Sequence, residues 1–210
     1  MRLGDIKVEA LKLMFVTYTD DIRAEDLPDL GGEENYRAYL LNMNGSINRC
    51  LADIESRRIL PVKRISVRAS SGELRRGALR VALADVAPDL FDVDRVVRED
   101  VDGYCGDCEW EREGDELILR DFDEISDYRL LYYPRLPRYA GDATNMEEVP
   151  VPDEIAAFIP YFVKGDLYRE DEINDASEAR NWYEAAMEQI AAARVNKVNR
   201  VRRVYSQVDL

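Results

Sequence analysis

Apolar residues recur every three or four positions through the first part of the chain, which is the spacing of one helix face. The pattern predicts an amphipathic helix over residues 5–19, with Asp5 as its N-cap. A loop with proline and glycine breakers is expected over 20–32. The next apolar stripe predicts a helix over 33–58, in which Gly45 permits a kink and costs about 1 kcal/mol relative to alanine.

The period changes from helical to alternating at Pro61. Apolar and polar residues then alternate in short runs, as in half-buried strands, and turn signals with glycine separate the runs. The predicted strands are 62–69, 78–86, 90–98, 108–112, 116–120 and 128–133. Residues 60–135 are therefore expected to form an antiparallel β-module, either a meander or a sandwich.

Helical spacing returns after a connection at 134–152 that contains four prolines. One helix is expected over 153–170, and Pro160 either kinks it or delays its start. Another helix is expected over 174–196. The remaining residues, 197–210, are expected to form an extended tail, because they are β-branched enough to pair as a strand.

The predicted fold class is α+β, with helices and strands in separate runs. The economical arrangement is a helical bundle built from both ends of the chain, residues 1–59 and 136–196. The β-module 60–135 is inserted between its second and third helices, and residues 197–210 form a docking tail. Segregated strands and helices argue against a parallel α/β sheet.

The amino-acid composition excludes several classes of function. The 210 residues include 43 acidic and 29 basic side chains, for a net charge of −14, and no histidine. The lack of histidine excludes imidazole catalysis, serine–histidine–aspartate triads and histidine metal ligands. The longest uncharged apolar run, Ile155–Val163, is too short for a membrane span, and the charged first residues predict no signal peptide. Three cysteines fit a reducing compartment better than a disulfide framework.

The charges are unevenly distributed along the chain. Residues 57–80 contain eight basic residues and one acidic residue, whereas residues 92–127 contain fifteen acidic residues and four arginines. Residues 194–210 contain five basic residues and one acidic residue. A solvated surface of mixed charge is one interpretation of the basic stretch at 57–80. The C-terminal segment interleaves valines with arginines, so an acidic surface on a neighbouring copy or a partner is expected to bind it.

The cysteines form one short motif, Cys105-x-x-Cys108, while Cys50 lies on the apolar stripe of the second helix. A closed zinc site needs four ligands, and a thioredoxin-type site needs the motif at a helix N-terminus, so neither is expected. A turn in a β-hairpin is the preferred interpretation of this motif. The chain lacks the glycine motifs that bind phosphates and the G-x-S-x-G motif, and it predicts neither an active site nor a cofactor.

Residues 128–190 contain a succession of short motifs. A strand ends in Tyr-Tyr-x-x-Leu-Pro, an Asp/Thr loop follows, a helix starts at Pro-Asp-Glu, and two helices carry Leu-Tyr-x-Glu and an aromatic–Tyr–Glu run. Their residues are Tyr132, Tyr133, Leu136, Pro137, Asp142–Thr144, Pro152–Glu154, Leu167, Tyr168, Glu170, Ala179, Trp182, Tyr183 and Glu184. In this order they resemble the C-terminal half of head–tail connector, or adaptor, proteins of tailed bacteriophages. The inserted β-module departs from the smallest, all-helical members of that family.

The resemblance implies a structural virion protein, without catalysis or a cofactor. Many copies, usually twelve, form a homo-oligomeric ring under the portal protein, which extends the DNA channel and joins the capsid to the tail. Such a protein is assembled in the host cytoplasm and lies in the virion neck, where it also meets a downstream stopper or tail protein. DNA passes through the ring without sequence-specific binding, and no membrane is involved.

Three charged sets are the candidate interaction surfaces. The portal-docking tail is the position that the resemblance matches to family docking segments: Arg194, Lys197, Arg200, Val201, Arg202, Arg203, Val204 and Tyr205. The acidic set, expected to face the channel or a neck partner, is Asp100, Asp102, Asp107, Glu109, Glu111, Asp121, Asp123 and Glu124. The basic set, expected at a subunit interface, is Arg57, Arg58, Lys63, Arg64, Arg68, Arg75 and Arg76. Acidic residues in a channel keep DNA phosphates from binding.

Other function classes remain as alternatives. A stopper-type or other tail-completion protein is one, although such proteins are mostly β and this chain predicts flanking helices. A thiol-redox protein would use Cys105 and Cys108. A nucleic-acid-binding protein would use the basic stretch at 57–80.

Overall fold

The fold is α+β, and the chain divides into two compact units. The first unit combines Met1–Ile59 with Pro137–Leu210, and the second unit is Leu60–Leu136. The computed structural model describes the backbone of residues 1–15, 22–99, 105–120, 122–168 and 172–205. The side chains of Cys105 and of residues 195–205 are not described. The second unit spans nearly the same residues as the β-module expected over 60–135.

In the described part of the chain, three helices precede the strands. They are α1 (Leu3–Met14), the single turn α2 (Leu27–Leu30) and the long α3 (Glu34–Ser56). Helix α3 runs through Gly45 and lies within the predicted range 33–58. Helix α1 ends at Met14, and residues 16–19 of the predicted helix lie outside the described residues.

The prediction that Asp5 is the N-cap of the first helix is wrong. Asp5 lies within α1, where its carboxylate accepts the backbone N–H of Arg2 at 3.1 Å. The helix begins earlier because a distant segment satisfies its first turn: the N–H of Leu3 donates to the carbonyl oxygen of Glu147 at 2.8 Å. Such a partner is invisible to a local pattern, which finds caps only among neighbouring residues.

Strands dominate the second unit. The described strands are β1 (Lys63–Val67), β2 (Glu73–Arg75), β3 (Ala78–Ala82), β4 (Leu90–Glu99), β5 (Cys105–Asp107), β6 (Trp110–Glu113), β7 (Glu116–Leu119) and β8 (Asp127–Pro134). A helical turn, α4 (Leu83–Val86), follows β3. The predicted strand 78–86 therefore continues only to Ala82, because the N–H of Ala87 donates to the carbonyl oxygen of Leu83 and closes a helical turn. The predicted strand 108–112 corresponds to β6, which begins two residues later, at Trp110, whereas β5 precedes it and was not predicted.

The strands form two antiparallel sheets of four strands each, in the orders β1-β8-β4-β5 and β2-β3-β7-β6. Their buried side chains belong to one cluster, to which the first sheet contributes Val96 and Leu130 and the second contributes Leu79 and Leu117. Of the two expected arrangements, the sandwich is the one observed, because both sheets bury one face in a shared core.

Strands β2 and β3 are joined by a tight turn at Arg76 and Gly77, whose φ angles are +51° and +77°. Two consecutive residues with positive φ are the mark of a type I′ hairpin turn, which matches the twist of its strands. The turn places Arg76 at the exposed tip of the β2–β3 hairpin. Strand β2 lies at one edge of its sheet, and β6 lies at the other.

Three helices complete the first unit: α5 (Asp153–Ala156), α6 (Ile159–Leu167) and α7 (Ile173–Tyr205). Pro160 is the second residue of α6, where its missing N–H costs nothing, so the expected helix is divided by a delayed start. Helix α6 packs against α1, α3 and α7. The crossing of α6 and α7 is close, since a Cβ atom on Gly165 would lie 3.0 Å from the carbonyl oxygen of Ala176.

The prediction of an extended tail over 197–210 is wrong as far as Tyr205, because the backbone of α7 remains helical to that residue. Valines occupy positions 195, 198, 201 and 204, and this interval of three is closer to the helical period than to the period of two of a strand. Arginine and lysine between them favour a helix. Residues 206–210 lie outside the described residues.

Candidate docking surfaces

The acidic set lies in the second unit. Asp107, Glu109 and Glu124 are exposed, at the end of β5, between β5 and β6, and in the loop before β8. These carboxylates remain accessible to a partner. The members that fall outside the described residues are Asp100, Asp102 and Asp121.

Asp123 forms its hydrogen bonds mainly within its own loop and with neighbouring strands. Its carboxylate accepts the Arg98 guanidinium at 3.2 Å and the Ser126 hydroxyl at 3.0 Å. Its backbone N–H donates to the hydroxyl of Tyr128 at 2.9 Å. Hydrogen bonds from the backbone N–H of Ile125 and from Ser126 lower the pKa of Asp123. This carboxylate therefore stabilises the connection between β7 and β8, and less of its charge is available to a partner.

Cross-strand ion pairs offset part of the negative charge of the second sheet. Glu111 of β6 accepts Arg120 at 2.7 Å, and Arg80 of β3 donates to Glu116 at 2.9 Å and to Glu113 at 3.2 Å. Because these side chains are exposed, each pair adds little to stability. Their main effect is to reduce the contribution of Glu111 to an acidic surface.

The basic set is divided between the two units. Arg57 and Arg58 follow α3 in the first unit, and the other members belong to the second unit. Arg57 is half-buried and bound within its own unit: its guanidinium donates to Asp53 at 2.7 and 3.2 Å and to Glu184 at 2.7 Å. Arg57 therefore joins α3 to α7. Arg58 adopts a positive φ of 53° just after α3.

The members of the basic set in the second unit are exposed. Lys63 and Arg64 lie on β1, and Lys63 forms an ion pair with Asp89. Arg68 lies just before a 3₁₀ turn, and the β2–β3 hairpin carries Arg75 and Arg76. Arg75 forms an ion pair with Glu73 at 2.9 Å on the same strand. The hairpin therefore presents two guanidinium groups at one exposed edge of a sheet.

A buried polar cluster between α3 and α7 was not predicted by the sequence pattern. The hydroxyl of Tyr183 donates to Asp53 at 2.7 Å beneath the Arg57 guanidinium, which lies 5.6 Å from the ring centroid. Burial is the largest cause that raises the pKa of Tyr183, and the nearby Cys50 and Asp53 raise it further. Burial raises the pKa of the Cys50 thiol. Burial alone would lower the pKa of Arg57, but its hydrogen bonds to Asp53 and Glu184 raise it.

The proline-rich connection before α5 is held by two asparagines of α3, one helical turn apart. The side-chain amide of Asn48 donates to the carbonyl oxygen of Tyr139 at 2.8 Å and accepts its N–H at 2.8 Å. The amide of Asn44 donates to the carbonyl oxygen of Ala140 at 2.6 Å. Burial, with a smaller contribution from the negative charge of Glu147, raises the pKa of Tyr139 to about 12. In the sequence, only the spacing of the two asparagines pointed to this contact, because their partners lie more than ninety residues away.

Lys7 of α1 is buried, and its ammonium donates to the side-chain oxygen of Asn145 at 3.0 Å. Burial lowers the pKa of Lys7, and the nearby carboxylate of Glu147 opposes that effect. A lysine side chain that is this buried requires a partner, since an unpaired buried charge is costly. Lys7 therefore fastens α1 to the connection before α5.

The portal-docking tail is the distal part of α7. Among the described side chains of α7, Met187 is the last that is fully buried. Arg194 is half-buried and lies 3.4 Å from Glu154. The side chains of the other tail residues are outside the described residues: Lys197, Arg200, Val201, Arg202, Arg203, Val204 and Tyr205. Their backbone continues the helix.

The cysteines are not brought together with other ligands in the described part of the chain. Cys108 is half-buried, and its thiol donates to the carbonyl oxygen of Glu109 at 3.4 Å. Cys50 is fully buried in α3. Across the residues whose side chains are described, no group of three histidine, cysteine, aspartate or glutamate residues is arranged to hold a metal ion.

No protein-family model matches the chain, and no curated protein matches its sequence significantly. Within the described ranges, none of the helices combines the length and apolar character needed to cross a lipid bilayer.

Proposed function

We propose that this protein is a structural head–tail connector of a tailed bacteriophage. Many copies form a ring, with twelve as the expected number, that lies under the portal, extends the DNA channel and joins the capsid to the tail. The protein works by assembly and not by catalysis, and it lies in the neck of the virion, where it also meets a stopper or tail protein.

The observation that carries the proposal is the continuation of α7 beyond its own unit's core. After Met187, the helix proceeds to Tyr205, which is about 27 Å at 1.5 Å per residue. This length carries arginines and valines on a chain that is otherwise acidic. An isolated helix is only marginally stable in water, so a basic amphipathic segment of this length is best explained as a docking element.

The arrangement of the units also supports a connector over a stopper-type protein. Both chain ends contribute helices to the first unit, and the strands that the structure describes lie within Leu60–Leu136. A tail-completion protein that is mostly β would not require α3 and α7, which are the longest elements here.

The exposed acids of the second unit support a role at the DNA channel or at a neck partner. Asp107, Glu109 and Glu124 are the accessible members, whereas Asp123 and Glu111 are engaged within the unit. Carboxylates at a channel wall repel phosphates, so DNA moves along without binding. We expect these three acids to face the channel or a downstream protein.

The proposal is tested by measuring mass and shape in solution, with and without a cognate portal ring. The full chain is compared with a chain that ends at Ala193, which lacks the distal part of α7. We expect the full chain to add to the portal as a ring and the shortened chain to remain unbound. A full chain that ignores the portal at every salt concentration contradicts the proposal.

The thiol-redox alternative makes a different prediction. Replacing Cys105 and Cys108 together by serine should leave addition to the portal unchanged, since neither residue is needed for docking. A loss of function with assembly intact would favour redox chemistry instead.

A further inference from the structure

Trp182 is an exposed tryptophan in the middle of a long helix. It lies on α7, and 58% of its surface is accessible to solvent. The next residue of the helix, Tyr183, and Ala186 and Met187 about one turn later are buried, so α7 is firmly packed where Trp182 projects. Tryptophan carries more apolar surface than any other side chain and is enriched at the centre of protein interfaces.

The helix face around Trp182 combines small and acidic side chains. The exposed Ala185 follows it by three residues, and the exposed Glu178 precedes it by four and accepts its indole N–H at 3.5 Å. From Ile173 to Ala193 the exposed residues of α7 include three acidic ones, Asp175, Glu178 and Glu188. Asp175 lies 3.6 Å from the ammonium of Lys164, and the Arg180 guanidinium of the same helix lies 3.6 Å from Glu184. Beside the indole, this face therefore carries a small side chain and the carboxylate of Glu178.

A symmetric contact between two copies of this face is unfavourable. A two-fold contact would bring the Glu178 and Glu188 side chains of one copy against those of the other, and like charges across an interface cost free energy. The face therefore requires a different surface, one that carries positive charge and an apolar side chain.

The β2–β3 hairpin has this chemistry. Leu74 is 46% exposed on the edge strand β2, which is an unusual position for a leucine side chain in a well-packed sandwich. Arg75 and Arg76 follow it, and the positive φ of Arg76 fixes the turn that holds them at the tip. An arginine guanidinium binds both to a carboxylate and to the face of an indole.

We propose that the Trp182 face of α7 in one copy binds the β2–β3 hairpin of a second copy. Leu74 packs beside Trp182 and Ala185, and Arg75 and Arg76 pair with the carboxylates around the indole. The inference deepens the proposed function by naming the surfaces that join the copies, and it rests on that function for the closure of the ring.

The contact is heterologous, because the two surfaces differ and each copy carries both. A head-to-tail contact closes into a ring when its rotation permits and otherwise extends into a filament. The distal part of α7 takes no part in the contact, so it remains available to the portal.

The test uses Trp182 itself as the probe. Replacing Trp110 by phenylalanine leaves Trp182 as the single tryptophan of the full chain. At low salt, we expect its emission to move to shorter wavelength and its quenching by acrylamide to fall as the protein concentration rises. Sedimentation velocity on the same samples reports the mass. Added salt should weaken association, because exposed charges are screened.

Charge reversal identifies the partner surface. In the Trp110→Phe background, Arg75→Glu with Arg76→Glu, or Glu178→Lys with Glu188→Lys, should each weaken self-association by at least about tenfold, because like charges then face each other. Mixing the two variants, or combining all four changes in one chain, should restore it. The control Arg64→Glu with Arg68→Glu makes the same charge change on β1 and just after it, outside the hairpin, and should have little effect.

Each alternative outcome overturns the inference. These outcomes are a chain that does not associate at any concentration, a Trp182 that stays accessible while the mass rises, and an Arg75/Arg76 variant that associates like the wild type. The proposed function is judged separately by addition to the portal. If Trp182 becomes protected but the chain does not bind the portal, the connector function is contradicted and the contact between copies is supported. If the Arg75/Arg76 variant still forms rings on the portal, only the proposed contact is contradicted.

Discussion

Tyr183 of α7 contacts α6 through its ring and α3 through its hydroxyl. Its ring packs edge-on against Phe162 with centroids 5.0 Å apart, and its hydroxyl donates to Asp53 at 2.7 Å. Because the side chain is fully buried, the hydroxyl and the carboxylate depend on each other for satisfaction. Arg57 supplies the remaining hydrogen bonds of Asp53 and keeps its charge compensated.

Replacing Tyr183 by phenylalanine removes the hydroxyl and keeps the ring. We expect the free energy of unfolding to fall by about 1–2 kcal/mol, because a buried hydrogen bond to a carboxylate is lost. Denaturant unfolding followed by circular dichroism measures the change. The control is Tyr161→Phe, a half-buried tyrosine whose hydroxyl has no partner among the described residues, with an expected change within about 0.5 kcal/mol. Equal losses for the two variants would contradict this assignment.

Asp89 anchors the end of β8 beside β1. Its carboxylate accepts the ammonium of Lys63 and the hydroxyl of Tyr132, the latter at 2.9 Å. Burial alone would raise the pKa of Asp89, but these hydrogen bonds lower it below its usual value. Burial and the Asp89 carboxylate raise the pKa of Tyr132 to about 12. The pair is therefore stable as carboxylate and neutral phenol.

The lowered pKa of Asp89 predicts a loss of stability in acid. The contribution is present above the ordinary aspartate pKa of about 4 and disappears as the pH falls through the lower pKa of the folded state. Trp110 fluorescence in a Trp182→Phe background reports unfolding of the second unit as a function of pH. Asp89→Asn should flatten the decline, and the exposed Asp107→Asn should leave it unchanged. An identical decline in all three chains would show that other groups control it.

Two glycines of the helical unit have opposite roles. Gly45 is exposed in α3, and the nearest atom to an added Cβ would be the Arg49 guanidinium at 3.6 Å, an ordinary contact. Gly165 of α6 is buried, and an added Cβ would lie 3.0 Å from the carbonyl oxygen of Ala176 and 3.2 Å from the amide nitrogen of Arg180. Both of those atoms belong to the backbone of α7 and have little freedom to move.

The two alanine substitutions therefore have opposite signs. Gly45→Ala should raise the free energy of unfolding by up to about 1 kcal/mol, the difference in helix propensity. Gly165→Ala should lower it by about 1–3 kcal/mol, because α6 and α7 must move apart. Thermal and denaturant unfolding of both variants provide the measurement, and each serves as the control for the other. A stabilising Gly165→Ala would show that the helices are not in close contact there.

The molecule as a whole is acidic, although it contains a basic stretch. The net charge is −14, while residues 57–80 are strongly basic. The structure divides that stretch between the two units and engages Arg57, Lys63 and Arg80 with carboxylates of their own unit. Part of its positive charge is thus compensated within the molecule, while Arg64, Arg68 and Arg76 are exposed.

We expect the full chain not to retain duplex DNA at an ionic strength of about 0.15 M, since net repulsion outweighs a few exposed arginines. Fluorescence anisotropy of a labelled duplex, measured over a range of salt concentrations, tests this. The variant Arg75→Glu with Arg76→Glu should behave like the wild type. Salt-sensitive retention that this variant loses would support the nucleic-acid-binding alternative.

Hydrophobic periodicity predicted much of the fold. The spacing of three and four predicted α3, and alternation predicted β1, β4, β7 and β8 within one or two residues. The α+β class follows from these periods alone, because a helix face and a strand face repeat at different intervals. The β-branched composition of Val198, Val201 and Val204 favours a strand, but their interval of three is closer to the helical period, and the backbone there is helical.

The sequence by itself determined the local elements, the acidic character of the molecule and the position of its basic stretches. Only the tertiary structure decided which residues meet: the N–H of Leu3 with Glu147, Asn48 with Tyr139, and Tyr183 with Asp53. It also decided which charges are satisfied internally, as at Arg57 and Asp123, and which apolar side chains stay exposed, as at Trp182 and Leu74. Periodicity reports the faces of single elements, whereas pairing across many residues depends on how those faces pack.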